Sequence, residues 1–396
     1  MEHILSLLLL FSSIYLNAQS KLSGRVIDNE TKKPLEGISI FLSHTTNGAV
    51  TNTKGDFQLD HLKPGKYELV VTSLNYEDNI ISIQVGLINE PITITMNPTA
   101  TQLKEVVVES YDENGWERWG DSFNSYFVGS PFLAINCHFK NPEVLKFKFG
   151  ANSNKLIAFT NEKLIFENIE LGYRIIYLLS KFEIDFNNNT FSFKGYPFFE
   201  EMKSNKSKQI AEWNKARSET YKGSLRHFIR SLYNNTLEKD GFEVRKVMNV
   251  SKEEISRIKG LSKGWLSNIS NKDSLDYYNK VRNIGFEETK VTLDPLISRD
   301  LIVSNSSESN SKSFYFKNSL QVLNLNKKIP NEYAKTLPVY RGNEFIRTDL
   351  SLRTNSPIFI YPNGDFYNGL ELLTDGYWAW SEKVSTMLPS DYLPNK

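Results

Sequence analysis

The sequence predicts two architectures in succession: an all-β sandwich of about seven strands, then an α+β region with a mainly antiparallel sheet and several helices. Three observations predict this. Between Lys21 and Met96 short alternating segments are separated by Gly, Pro and Asn turn signals, the pattern of a sandwich rather than of βαβ units. From Glu143 to Met202 longer β-rich runs follow one another, and from Ser207 to Tyr233 apolar residues recur at helical spacing.

The first domain reads strand by strand. "LSGRVID" runs into the turn "NETKKPLEG", and "ISIFLS" alternates Ile38, Ile40 and Leu42 with Ser39 and Ser43, so one face is buried. In "GAVTNTKGDFQLDHL" the pair Gly55-Asp56 separates two strands by a tight turn. Pro64-Gly65 precedes a strand with Tyr67, Leu69 and Val71 in phase, and "NIISIQV" and "PITITM" complete the set.

These residues closely resemble the carboxypeptidase-regulatory-like domain: Gly24, Pro34, Gly37, Gly55, Phe57, Pro64, Gly65, Tyr67 and Tyr76 all fit its pattern. The resemblance implies a prealbumin-like sandwich over residues 19–96 and an accessory role, often at the start of outer-membrane and secreted proteins. It does not imply peptidase chemistry. A zinc carboxypeptidase needs a His-x-x-Glu pair and a distant second His to leave one zinc position open. None of His3, His44, His61, His138 and His227 has a glutamate three residues later, so neither a metal site nor a cofactor is expected. After the sandwich, "ATQLKEVVVES" is similar to the segment joining such domains to transporter plugs. Too few residues follow Val108 for a barrel of about 22 strands, and residues 97–110 are read as a linker strand.

The chain is expected to be exported, to the periplasm or in association with the outer membrane or cell surface. An apolar run from Ile4 to Leu16, broken by three serines, precedes the small-residue site Asn17-Ala18-Gln19, so residues 1–18 read as a signal peptide. Its flank is unusual, with His3 beside Glu2 where a Lys or Arg is the norm. No later stretch reaches the roughly 18 apolar residues a membrane helix needs. Lys and Arg total 47 against 46 acidic residues, a net charge of +1 that excludes an electrostatic claim on nucleic acid. The single cysteine, Cys137, rules out an intrachain disulfide and reads as a core residue.

In the region 111–396, Trp116, Trp119, Phe123 and Phe127 recur at three- and four-residue spacing, predicting a helix with an aromatic face used in packing. "EVLKFKF", "LIAFT", "KLIFENIE", "GYRIIYLLSKFEIDF" and "TFSFKGYPFFEEM" predict a sheet of at least four strands, with a hairpin turn at Asn187-Asn188-Asn189. Ser207–Tyr233 predicts one helix, with Ile210, Trp213, Tyr221, Leu225, Phe228 and Leu232 on a face that also holds Arg217 and Ser224. A buried guanidinium needs a carboxylate, carbonyls or a bound anion, and Gly223 inside a helix points to close approach by a neighbour. His227, on the border of the stripe, is either a proton carrier or a satisfied structural residue. Ser251 with Glu254 marks a capped helix start, "DSLDYYNKVRN" a further helix, and "SNSSESNSKS" a polar surface loop whose Ser309-x-x-Lys312 spacing is put down to chance. Strands are expected near "FIRTDLSLRT" and "PIFIYPNGDFYN", and a helical close carrying Trp378 and Trp380.

This region is similar to the tract that follows the same sandwich in a set of uncharacterised envelope proteins, a resemblance that brings no activity, substrate or cofactor. The residues themselves support two functional readings. One is a non-catalytic envelope module for a glycan, peptide or envelope protein. It is favoured because the sequence has no GxSxG elbow, zinc spacing, phosphate loop or dinucleotide fingerprint, while aromatic residues make up 13% of the chain. The alternative is a hydrolase or transferase with its site on the 207–233 helix. Arg217, Tyr221, Ser224, His227, Trp378 and Trp380 are the ligand-binding candidates. Assembly through the sandwich edge is a third use, without a positive mark in the sequence.

Overall fold

The computed structural model describes residues 20–88, 90–99, 111–130, 132–160, 162–285, 289–339, 342 and 344–394. The expected signal peptide and all but the first three residues of the expected linker strand lie outside the described residues. The chain forms two compact units, residues up to 40 with 47–99, and residues 41–46 with 100 onward.

The seven expected strands are β1 Ser20–Asp28, β2 Ser39–Leu42, β3 Gly48–Val50, β4 Asp56–Leu62, β5 Gly65–Ser73, β6 Tyr76–Val85 and β7 Ile92–Met96, of which the last two residues of β2 count with the second unit. They make a three-stranded sheet in the order β4-β1-β7 and a four-stranded one in the order β3-β2-β5-β6. The alternation seen in the sequence is the burial pattern. In β1, Leu22 and Val26 are buried while Lys21 and Arg25 face out. β1 pairs antiparallel with β4 but parallel with β7, so the last strand closes the sheet beside the first. Asp28 closes the turn after β1 by accepting from the amides of Glu30 and Thr31, and the Tyr76 hydroxyl donates to its other oxygen at 2.8 Å.

The second unit has three antiparallel sheets where the sequence predicted one. The largest comprises β8 Cys137–Phe139, β9 Lys146–Gly150, β10 Lys155–Phe159, β11 Leu164–Asn168, β12 Tyr173–Asp185 and β13 Thr190–Glu201. β12 is its spine. It pairs with β13 along one edge and with β11 and then β10 along the other, and the Asn187–Asn189 segment makes the expected hairpin turn. On this sheet lies α1, Gly115–Phe123, continued by a wider π-helical turn over Asn124–Val128. Phe123 stacks on Phe127 at 4.8 Å and Phe127 meets Tyr177 edge-on at 5.1 Å, so the aromatic face is core, as expected.

The predicted helix Ser207–Tyr233 is two helices, α2 Ser207–Tyr221 and α3 Leu225–Asn234. Gly223 lies at φ +68°, a left-handed conformation that ends α2, and the Ser224 hydroxyl then caps α3 by accepting from the His227 amide. The single apolar stripe therefore does not exist, and Ile210, assigned to it, is exposed. α4 Lys252–Lys259 starts at its predicted Ser251 cap, and α5 Lys272–Asn283 follows. The second sheet runs in the order β15 Lys290–Leu296, β14 Phe242–Asn249, β18 Ser319–Lys328, β19 Phe345–Leu352 and β22 Leu372–Gly376. The third joins β16 Val303–Asn305, β17 Lys312–Phe314, β20 Ile358–Ile360 and β21 Phe366–Tyr367. The tract read as a loop, 304–313, thus has strands at both ends. Its Lys312 ammonium donates to the Tyr233 carbonyl at 2.5 Å. The chain closes through α6, Tyr377–Ser381. No helix among the described residues is long and apolar enough to cross a membrane.

Candidate functional site

The residues singled out in the sequence gather around the turn between α2 and α3, and protein groups engage nearly all of them. Arg217 is buried, its ring of partners drawn from the turn between β11 and β12. Its Nε donates to the Leu171 carbonyl at 2.7 Å and its Nη2 to the Gly172 carbonyl at 3.1 Å. Nη1 meets the exposed Glu201 carboxylate at 3.3 Å, and the guanidinium lies over the Tyr173 ring at 4.0 Å. One turn earlier on α2, the Trp213 indole donates to the Ile169 carbonyl at 2.9 Å. Two side chains on one face of α2 therefore clamp one hairpin turn, which answers the sequence's demand for carbonyls around the guanidinium.

Gly223 ties the other candidates together. Its amide donates to His227 Nδ1 at 3.2 Å, and its carbonyl accepts from the buried Trp378 indole at 2.8 Å. A Cβ there would sit 2.9 Å from Ile346, the close approach the sequence implied. Burial pushes the His227 imidazole down to about 4, because the ring leaves water and the Asp240 carboxylate, 3.9 Å from Nε2, only partly offsets that loss. A ring held neutral, with Nδ1 occupied as an acceptor, is a structural histidine rather than a proton carrier near neutral pH. Ser224 and His227 do meet, but through the cap to the backbone amide. Tyr221 packs between His227 and Tyr392. Trp380 packs on Tyr333 and Tyr377. Glu382, which accepts the Leu225 amide at 2.9 Å, has its pKa raised by burial.

A concave site lies elsewhere, between the helical segment 115–128 and β8. It is a cleft of about 640 Å³ with Trp116, Phe139 and Phe166 among its walls. Trp116 and Phe139 meet edge to face at 6.1 Å. Asp121, Asn124, Ser125 and His138 supply the polar lining. Among the described residues no hydrogen bond or ion pair engages these four side chains. Cys137 also borders the cleft, but burial, aided by Glu170, pushes its thiol up to about 12, so the thiolate is scarce at neutral pH. Sequence reasoning missed this site. Trp116 is read there as a packing residue, and Asp121, Asn124 and Ser125 are not singled out. The signal in the sequence was an aromatic residue, Trp116, followed on its own helical segment by polar residues five, eight and nine positions on, Asp121, Asn124 and Ser125.

Comparison with known proteins places one part of the chain. Residues 22–108 match the family model of the CarboxypepD_reg-like domain, which confirms the resemblance read from Gly24 to Tyr76 and extends it over Val106–Val108. No curated protein matches the chain. Among solved structures, a type II cohesin–X-dockerin complex from Acetivibrio cellulolyticus is 23% identical over 19% of this chain and 56% of that one, with a TM-score of 0.17. The pilus 2b backbone protein of group B streptococcus is 21% identical over 20% of this chain and 41% of that one, with a TM-score of 0.18. A 9R-lipoxygenase from Cyanothece is 11% identical over 54% of this chain and 48% of that one, with a TM-score of 0.16. The chain thus spans about half the length of the structures it matches, at scores that assign it no function.

Proposed function

We propose that this chain, which carries a carboxypeptidase-regulatory-like domain at residues 22–108, is an exported cell-envelope module that binds a partner and does not transform it. The observation that carries the reading is the cleft beside α1, where an aromatic wall faces four polar side chains not engaged within the described protein. Ligand sites typically combine apolar walls with a few converging polar groups in a volume of roughly 300–1,000 Å³. Export rests on the apolar run Ile4–Leu16 and its small-residue site. Peptidase chemistry is set aside because the sequence has no His-x-x-Glu pair. The alternative, a hydrolase or transferase on the 207–233 segment, draws no support from an Arg217 that holds a hairpin turn and a His227 that accepts the Gly223 amide.

The test is to present the chain lacking residues 1–18 to arrayed envelope glycans, peptides and purified envelope proteins. Retention of one ligand class, weakened by the double change Asp121→Ala and Asn124→Ala, is the expected result. If nothing is retained, the binding reading fails. For export, N-terminal sequencing of the protein recovered from its cell should begin at Gln19, and an intact Met1 would refute cleavage after Ala18.

A further inference from the structure

We infer that the cleft beside α1 takes a neutral saccharide, an inference that rests on the binding reading above and names its ligand class. Three features of the lining point there. First, it is nearly uncharged: among the described residues that line it, Asp121 is the one formal charge and no Lys or Arg is present, so nothing compensates a phosphate, sulfate or uronate. Second, the polar groups are a carboxylate, an amide, a hydroxyl and an imidazole, a set that both accepts and donates. Sugar hydroxyls do both as well. Here the polar lining is made of side chains, Asp121, Asn124 and Ser125 from the helical segment and His138 from β8, the edge strand of its sheet. Third, Trp116 stands edge to face with Phe139 over the cleft. The negative face of an indole attracts the weakly positive C–H faces of a pyranose ring while burying their apolar area.

The division of labour is direct. Trp116 stacks the ring while Phe139, at right angles to it, borders the same wall, Asp121 accepts from a pair of hydroxyls, and Asn124, Ser125 and His138 complete the contacts. Because Asp121, Asn124 and His138 make no side-chain hydrogen bond or ion pair among the described residues, their removal leaves the fold in place.

The experiment uses the full chain against three panels, short neutral oligosaccharides, acidic oligosaccharides and peptides, with affinity read by calorimetry and Trp fluorescence. The expected result is binding in the neutral panel, weakened about tenfold by Asp121→Ala and about fivefold by Asn124→Ala or His138→Ala, the scale of one hydrogen bond each. Trp116→Phe, which keeps an aromatic ring in the wall, is expected to weaken it less than Asp121→Ala. Binding confined to acidic sugars or to peptides overturns the saccharide assignment and leaves the binding module standing. Neutral-sugar binding untouched by all four changes overturns the location. No binding in any panel overturns the binding reading together with this one.

Discussion

Replacing Arg217 by Met separates a structural clamp from a ligand group. The guanidinium is 8% exposed and makes two hydrogen bonds to main-chain carbonyls of Leu171 and Gly172. Hydrogen bonds from a charged donor contribute roughly 1.5–3 kcal/mol each, so their loss costs about 3–6 kcal/mol. The exposed Glu201 adds little because solvent screens it. Against this stands a return of desolvation free energy, since Met need not leave water as a cation, which we take as about 1–2 kcal/mol of the several kcal/mol such burial costs. The thioether also keeps a contact with the Tyr173 ring. The net expectation is a loss of about 3 kcal/mol. Urea unfolding followed by Trp fluorescence measures it, with Trp213, one turn away on α2 and bonded to the same hairpin turn, as the local reporter. Arg217→Lys, which keeps the charge but lacks the fork, is expected to recover less than half of the loss. A cost below about 1 kcal/mol for Arg217→Met, or an unchanged stability with lost ligand binding, would refute the clamp.

Four other predictions follow from the same geometry. Gly172→Ala places a Cβ at φ +67° and 2.4 Å from the Trp213 indole, so it destabilises by about 3 kcal/mol in the same assay; a neutral effect would mean that the hairpin is not held against α2. Gly223→Ala meets Ile346 at 2.9 Å in a left-handed conformation and should cost about 2 kcal/mol, with Gly223→Asn less strained in its backbone. His227 is held at about 4 when folded against 6.5 when free, so the unfolded chain takes up its proton first. Its contribution to stability is complete above about pH 6.5 and is lost as the pH falls through about 4, by about 3 kcal/mol, and His227→Gln should flatten that part of the profile of unfolding against pH. Cys137, pushed up to about 12, should alkylate about a thousandfold more slowly in the native chain than after denaturation, and equal rates would contradict its burial.

What was legible in the sequence is what neighbours along the chain decide. The sandwich strands could be read because alternation over a few residues, closed by Gly55, Pro64-Gly65 and similar turns, is a local property that the pleat turns directly into burial. The aromatic face of α1, the turn at Asn187–Asn189 and the Ser251 cap were legible for the same reason. Gly223 was visible as an anomaly, yet helical spacing runs through it unbroken, since periodicity carries no information about the sign of φ; only the fold shows that it separates two helices. Arg217 announced a need for partners without naming them, because the carbonyls of Leu171 and Gly172 lie 46 and 45 residues away and reach it only once β11 and β12 have paired. The cleft was beyond sequence reading altogether. Asp121, Asn124 and Ser125 on a helix look like any solvated face. They become a wall when β8, drawn in by its pairing with β11, sets His138 and Phe139 opposite Trp116. The sequence by itself determined the sandwich and the aromatic packing helix. Tertiary structure alone decided which polar residues are engaged and which face an open space, because that depends on contacts between segments that no local period records.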